Sequence, residues 1–471
     1  MSNNKLLRAA LAALLCVPFG FTATSAAATK PAQPRYRVVD LGSLGGDVGI
    51  LQGRSINMRG MAVGLMGMGQ PDPYCTDPLW ACFYDGDLYH AFQYADGKTY
   101  DLGALAQGVN STANGITELG LVYGQAQNGS VDPLTDFPEA HAVMWVNRKI
   151  TDLGTFGGHQ SAALNANLLG QVVGASLTAK SDPFADQPMA GCRFTPIAGA
   201  GSNWNTFAIN TFFAPGATET HAAMWWGGAK FDMGTLGGPD SAAADINLLG
   251  QAVGWSYNSY QANEFGVPDV HPFVWSVWDR KMHDLGSLGG ACAIAAAINN
   301  RGEVIGHSTL AGNQIEHPFL WTAKSGMRDL GTLGGDFAHA NHINDRGEVI
   351  GYSTMVPRGQ GQAPTYAKGR AFYWYNGVMK NLGTIGDDYS DANGINNLGQ
   401  IVGEIFTVQG ESVRGWISDR GGPLVDLNTL IDPNSGYEII AAGYITDTGV
   451  IGARAIAPNG QEHPVELIPN R

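Results

Sequence analysis

Met327-Arg328-Asp329-Leu330-Gly331-Thr332-Leu333-Gly334-Gly335, followed by His342-Ile343-Asn344-Asp345-Arg346-Gly347-Glu348-Val349-Ile350-Gly351, is the clearest of eight variants of one pattern. Its Asp-Leu-Gly element begins at Asp40, Asp101, Asp152, Asp232, Asp284, Asp329, Asn381 and Asp426. An Asn-x-x-Gly turn follows from Asn57, Asn167, Asn247, Asn299, Asn344 and Asn396, with threonine in its place at Thr117 and Thr446. An aromatic piece like His317-Pro318-Phe319-Leu320-Trp321 begins at His90, His141, His221, His271, His317, Arg370, Arg414 and His463. Compact copies recur about every 45 residues, the period of propeller blades.

Each copy supplies four short strand-like pieces. In His141-Ala142-Val143-Met144-Trp145 both alternating faces are apolar or small, as in a strand covered on both sides. A second piece ends in Asp-Leu-Gly. A third has the form Ser-x-Ala-x-x-Ile-Asn, with Ala163, Ala243, Ala295 and Ala340 keeping it slim. The fourth resembles Gly170-Gln171-Val172-Val173-Gly174, and Asn-x-x-Gly joins it to the third as a hairpin turn. One such sheet cannot bury its faces alone, whereas eight around an axis can. The chain enters on a second-type piece, Tyr36-Arg37-Val38-Val39-Asp40-Leu41, and leaves on a first-type piece, His463-Pro464-Val465-Glu466-Leu467. The expected fold is therefore all-β: an eight-bladed β-propeller of four-stranded blades, with the closing blade shared between the chain ends. An open solenoid, or seven blades with one divergent copy as a cap, are the alternatives.

Composition agrees. Glycine (65) and proline (23) make up about 19% of 471 residues, against about 12% in average usage. Charged residues are only 14%, with 10% aromatic and 44% hydrophobic, which argues against disorder and long helices. The net charge of −14 without a basic cluster argues against nucleic acid as a partner. Residues 1–28 have the make-up of a secretory signal peptide: Lys5 and Arg8, an apolar core from Ala9 to Phe21, and small residues at Ala26-Ala27-Ala28. Its removal takes away two positive charges and leaves −16. Residues 29–471 then form one repeat domain, with repeats starting near 37, 98, 149, 229, 281, 326, 378 and 423. No later segment is a continuous apolar span, so an exported monomer is expected, periplasmic or extracellular and without a membrane span. In an oxidising compartment Cys75 and Cys82, in one short loop, are expected to form a disulfide. The pairing of Cys192 with Cys292 is left open.

Asp-Leu-Gly-Thr-Leu-Gly-Gly, the Ile-Asn-Asn/Asp-Arg-Gly-Glu-Val-Ile-Gly turn and His-Pro-Phe-Leu-Trp together resemble the HAF-type extracellular repeat family of bacteria. The resemblance covers nearly the whole chain beyond residue 28, most faithfully from Asp284 to Trp374, and least so in the second and eighth copies. It implies an exported protein and carries over no catalytic residues.

No catalytic motif is present. The repeated histidines are expected to be placed by blade packing, with a ring nitrogen bonded to backbone. The repeated aspartates are expected to accept N–H groups of the following glycine turn. Asp387, Asp388 and Asp391 form a weak candidate calcium cluster without a true Asp-x-Asp-x-Asp-Gly loop; otherwise no metal or cofactor is expected. Five insertions, Met66 to Tyr89, Gln125 to Ala140, Ser176 to Thr220, Ser256 to Val270 and Met355 to Gly369, occupy one connection class and so decorate one face, the other being nearly bare. They carry Tyr74, Trp80, Trp204, Phe212, Phe213 and Tyr260, candidates for stacking on a glycan or seating a protein. The alternative is that these aromatics pack against their own ring. The functional expectation is a noncatalytic propeller that binds a glycan or protein through this face. A polysaccharide hydrolase or lyase with acids near the axis, or a structural envelope component, are the other readings.

Overall fold

The structure is a computed structural model that describes residues 36–51, 53–75, 86–185, 212, 214–357, 369–386, 389–407 and 411–470. The expected signal peptide, Cys82, Cys192, Trp80, Trp204, Phe213, Asp387 and Asp388 lie outside the described residues.

The described chain is all-β and propeller-like. Hydrogen bonds group its strands into six antiparallel sheets of four and one sheet of eight. The larger sheet is two such groups joined by one parallel bridge, Val270 to Cys292. In the second copy the strands Ser111–Ile116, Val122–Val131, Pro138–Val146 and Lys149–Asp152 follow in that order, and the other blades repeat it. The chain ends meet as expected. Tyr36–Asp40 pairs antiparallel with Glu462–Pro469, setting Val38 opposite Leu467 and Asp40 opposite Val465. A linear array has no reason to make that pairing.

The repeated small residues have a steric cause. A register shift between Ala163 and Asn165 bulges the first strand of the third blade toward its neighbour. A Cβ on Gly174, opposite the bulge, would lie 1.9 Å from the Ala162 carbonyl oxygen. Gly254 and Gly306 meet the same obstruction in the next two blades. Between blades the core is apolar. Trp145, fully buried, packs with Val63, Ala91 and Val143 and donates its indole N–H to the Leu102 carbonyl of the preceding Asp-Leu-Gly (3.0 Å).

Asn-x-x-Gly does more than turn the chain. Asn344 Oδ1 accepts the N–H groups of Arg346 (3.0 Å) and Glu348 (3.1 Å), which closes its own hairpin. Its Nδ2 donates onward to the carbonyl of Asn396 in the next turn (2.9 Å). The same step runs from Asn57 to Thr117, Asn167 to Asn247, Asn247 to Asn299, Asn299 to Asn344 and Asn396 to Thr446, at 2.9–3.1 Å. It stops at Thr117 and Thr446, whose side chains carry no amide. Asn344→Ala should lower unfolding free energy by on the order of 2 kcal/mol, because it strips a buried carbonyl and a hairpin of their partners. Thr117→Asn, which supplies the missing amide, should raise it by about 1 kcal/mol. Urea melts of both variants check this, and equal midpoints for all three proteins would contradict the relay.

Candidate functional site

Successive strands run antiparallel, so the first-to-second and third-to-fourth turns of every blade open on one face. The insertions and the Asp-Leu-Gly linkers open on the other. At the axis on the turn face lies a cavity of about 290 Å³, lined by the first turns of all eight copies. Arg54, one of the lining residues, pairs with the buried Asp245, 191 residues away, its Nη2 3.3 Å from Oδ1. Asp245 also accepts from Asn165 Nδ2 (2.9 Å), Ile246 N (2.8 Å) and Ile298 N (2.9 Å). Burial pushes its carboxyl upward, and the Arg54 charge with the two backbone N–H groups pulls it only part of the way back. Arg54 stays charged, held so chiefly by Asp245. His342 and Tyr444 also line the cavity, and burial, with a smaller push from Arg54, drives His342 down to about 3, leaving a neutral imidazole. Sequence reasoning missed this cluster. These residues do not repeat, and only closure of the ring brings them together.

The repeated histidines pair within their own blades. His141 Nδ1 lies 2.9 Å from the Asp152 carboxylate, and His90–Asp101, His221–Asp232, His271–Asp284, His317–Asp329 and His463–Asp40 repeat the contact at 2.8–2.9 Å. The expected backbone partner is thus corrected to a carboxylate, though His90 also reaches the Val109 carbonyl through Nε2 (3.1 Å). Register explains the pair: Val143 faces Asp152, so His141 is the diagonal neighbour on the same side. Where arginine replaces histidine at Arg414, it bonds Asp426 instead (2.8 Å). The aspartates also accept the expected glycine N–H, as Asp152 does from Gly154 (2.7 Å). Burial raises the Asp152 carboxyl, but His141 and Gly154 outweigh it and hold it below the ordinary carboxylate value.

On the insertion face the candidates divide. Phe212 is buried (1% exposed) in a cluster with Trp255, Tyr257, Val267 and Cys292, so it is core and offers no stacking surface. Tyr260 is 42% exposed, and its hydroxyl sits with Lys180 and with Glu219 Oε1 (2.7 Å). Tyr74 is half-buried, and its N–H bonds Asp72 (2.9 Å). The insertions are tied from blade to blade. Asn110 donates to Asp72 (2.8 Å), His159 meets Glu139 (2.5 Å), Tyr260 donates to Glu219 (2.7 Å) and Asn313 donates to Glu264 (3.1 Å), each between neighbouring blades, while Lys180 meets Glu219 (2.7 Å) within the third.

Of the candidate calcium cluster, Asp391 is among the described residues. It lies buried on the strand Tyr389–Ile395, where it accepts from Asn341 Nδ2 (2.9 Å) and Ala392 N (2.8 Å). Burial, reinforced by Glu404, pushes its carboxyl up to about 8. Among the described residues no group of three or more His, Cys, Asp or Glu is placed to hold a metal ion.

No protein-family model matches the chain, and no curated protein matches it. Among solved structures, it is similar to the acylaminoacyl peptidase of Pyrococcus horikoshii (TM-score 0.41, 9% identity, 87% of this chain and 57% of that one). A puromycin-hydrolyzing peptidase of Mycobacterium tuberculosis gives 0.42 at 12% identity over 93% and 61%. A polysaccharide lyase, an ulvan lyase of the PL25 family, gives 0.26 at 10% over 88% and 77%. The chain spans about three fifths of the length of the two peptidases.

The Asp391 carboxyl titrates higher folded than unfolded, where it ionises near pH 4. The unfolded chain therefore sheds this proton first, and stability falls as pH rises from about 4 toward 8. Asp391→Asn keeps an oxygen acceptor for Asn341 and Ala392 and removes the titration. Its melting temperature relative to wild type should climb between pH 5 and pH 9, and a pH-independent difference would refute the assignment.

Proposed function

We propose that this is an exported, noncatalytic, eight-bladed β-propeller whose closing blade is shared by the chain ends. It binds a glycan or protein through the insertion face, its repeats are of the HAF type, and it works in the periplasm or outside the cell as a monomer. One observation carries the reading. Described residues of the insertion face are tied across the first five blades, by Asp72–Asn110, Glu139–His159, Glu219–Tyr260 and Glu264–Asn313. Ordering side chains before a partner arrives lowers the entropy lost on binding. Tyr260, over which Lys180 lies 4.5 Å from the ring centre, is presented on this face. A Cys75–Cys82 disulfide, which an oxidising compartment would allow between two cysteines of one short loop, goes with this reading.

A second reading, a polysaccharide hydrolase or lyase, is favoured by the unrepeated Arg54 and His342 lining the axial cavity, with Asp245 paired to Arg54. Against it, Asp245 already accepts from four donors, so it has little capacity left to take a substrate proton.

Tyr74→Ala with Tyr260→Ala, and separately Trp80→Ala with Trp204→Ala, should weaken retention on a glycan array or in an envelope pull-down about tenfold, with unchanged melting. Retention equal to wild type in both pairs counts against the insertion face. Turnover of a polysaccharide panel that Asp245→Asn abolishes would establish the second reading instead. Mass spectrometry of exported protein should find Cys75 joined to Cys82, and free thiols at both positions would exclude the bridge.

A further inference from the structure

Eighteen large hydrophobic residues are exposed among the described residues. Only six of them, Val131, Leu134, Tyr260, Ile315, Met355 and Val356, lie in the insertion-face connections. The other twelve stand on the turn face, at the tips of tight turns. They are densest on the second to fourth blades, with Leu119 at 65%, Leu169 at 59%, Leu249 at 52% and Trp278 at 84% exposure. Scattered apolar residues need no explanation, but a contiguous set does.

Two of these leucines displace a hydrogen bond that other blades make. Beside the asparagine relay runs a second one, through the residue after each asparagine. Asn300 N donates to Asp345 (2.9 Å), Asp345 N to Asn397 (2.9 Å) and Asn397 N to Asp447 (2.7 Å), while Leu248 N donates to Asn300 (3.0 Å). Leu168 and Leu248 hold the acceptor position in the third and fourth blades and have no oxygen to offer. Ring cohesion would favour Asn or Asp there. Leucine weakens the ring and enlarges an exposed apolar surface, so its use lies outside the ring.

The charge around this patch runs against that of the whole chain. On a protein of net charge −14, the third-to-fourth turns of the second and fourth blades expose Arg148, Lys149, Arg280 and Lys281. The nearby acids are engaged: Glu118 accepts Met58 N (2.9 Å) and Asp279 pairs with His283 (2.7 Å). Shape selects the occupant. Leu168 and Leu248 border the axial cavity, but the most exposed groups, Leu119, Leu169, Leu249 and Trp278, lie outside its lining, at turn tips on one face of the ring. Convex apolar tips flanked by cations, with an exposed tryptophan, match a bilayer interface.

We infer that the turn face of the second to fourth blades docks on an anionic lipid surface, inserting Leu169, Leu249 and Trp278 among the headgroups while Arg148, Lys149, Arg280 and Lys281 meet lipid phosphates. This is attachment to a bilayer, not a span across it. It leaves the opposite, insertion face directed away from the lipid, and it does not depend on what that face binds.

The test is co-sedimentation of the full chain, after leader removal, with vesicles of phosphatidylglycerol mixed into phosphatidylcholine and with phosphatidylcholine alone. Wild type should pellet with the anionic vesicles and stay largely in solution with the neutral ones. Leu169→Glu, Leu249→Glu and Trp278→Ala combined should lower partitioning about tenfold or more. Arg148→Glu with Lys149→Glu should reduce it and blunt its response to salt. The tips are exposed, so melting temperatures should not move, and a variant that melts early is replaced by Trp278→Ala alone. Absence of wild-type binding to anionic vesicles, or equal pelleting of all variants, overturns the proposal. So does concentration-dependent self-association that the same substitutions remove without any vesicle binding, which would make the occupant a second copy.

Discussion

The ring depends on one side-chain amide used in two directions. The oxygen of each turn asparagine closes its own hairpin, and the nitrogen reaches the main chain of the next blade, as Asn247 does to Asn299 and Asn299 to Asn344. Aspartate could do only the first of these, since an ionised carboxylate has no N–H to donate. Serine is too short for the second. A residue that looks like a local turn former is therefore also the contact that makes one blade wait on its neighbour. A four-stranded sheet that buries neither face well gains a partner on both sides through it.

The same economy governs the ionisable groups. The conspicuous histidines and aspartates pair with one another at the diagonal of six outer strand pairs. In the closing blade that pair is His463 with Asp40, from opposite ends of the chain. It fastens the ring by a side-chain hydrogen bond as well as by the Tyr36–Asp40 ladder. At the axis Arg54 crosses to Asp245 and finds a carboxylate already held by three other donors. Burying the Asp245 carboxylate is tolerable because four donors meet it. That completeness makes it a brace across the ring and leaves it poorly suited to bind or activate a substrate.

The repeat made most of this architecture readable in advance. Period, strand order, hairpin chemistry and complementary chain ends all follow from local pattern, and each constrains the next. Two kinds of information were not local. Arg54 and Asp245 are ordinary residues until a ring places them opposite each other. Phe212 sits in a long irregular insertion, where nothing in the flanking sequence says that this side chain joins the core. Asp391 was misplaced for a related reason: its neighbours Asp387 and Asp388 suggested a turn, but the strand begins at Tyr389 and carries Asp391 into the interior.

The apolar turns were visible as letters and still passed unnoticed. Asn167-Leu168-Leu169-Gly170 and Asn247-Leu248-Leu249-Gly250 keep the turn formers and vary only the two residues between them. Looking for function in loops of unusual length directs attention to the insertion face, because length is what a repeat alignment shows first. In a turn of fixed length, function has to appear as chemistry instead. The test is whether the variable residue could have served the ring better. At Leu168 and Leu248 it could, since Asn300, Asp345, Asn397 and Asp447 hold the equivalent place and accept a bond from the preceding blade. A bare face is therefore not an idle one: where a compact turn gives up cohesion to expose leucine, the contact that explains it must come from outside the molecule.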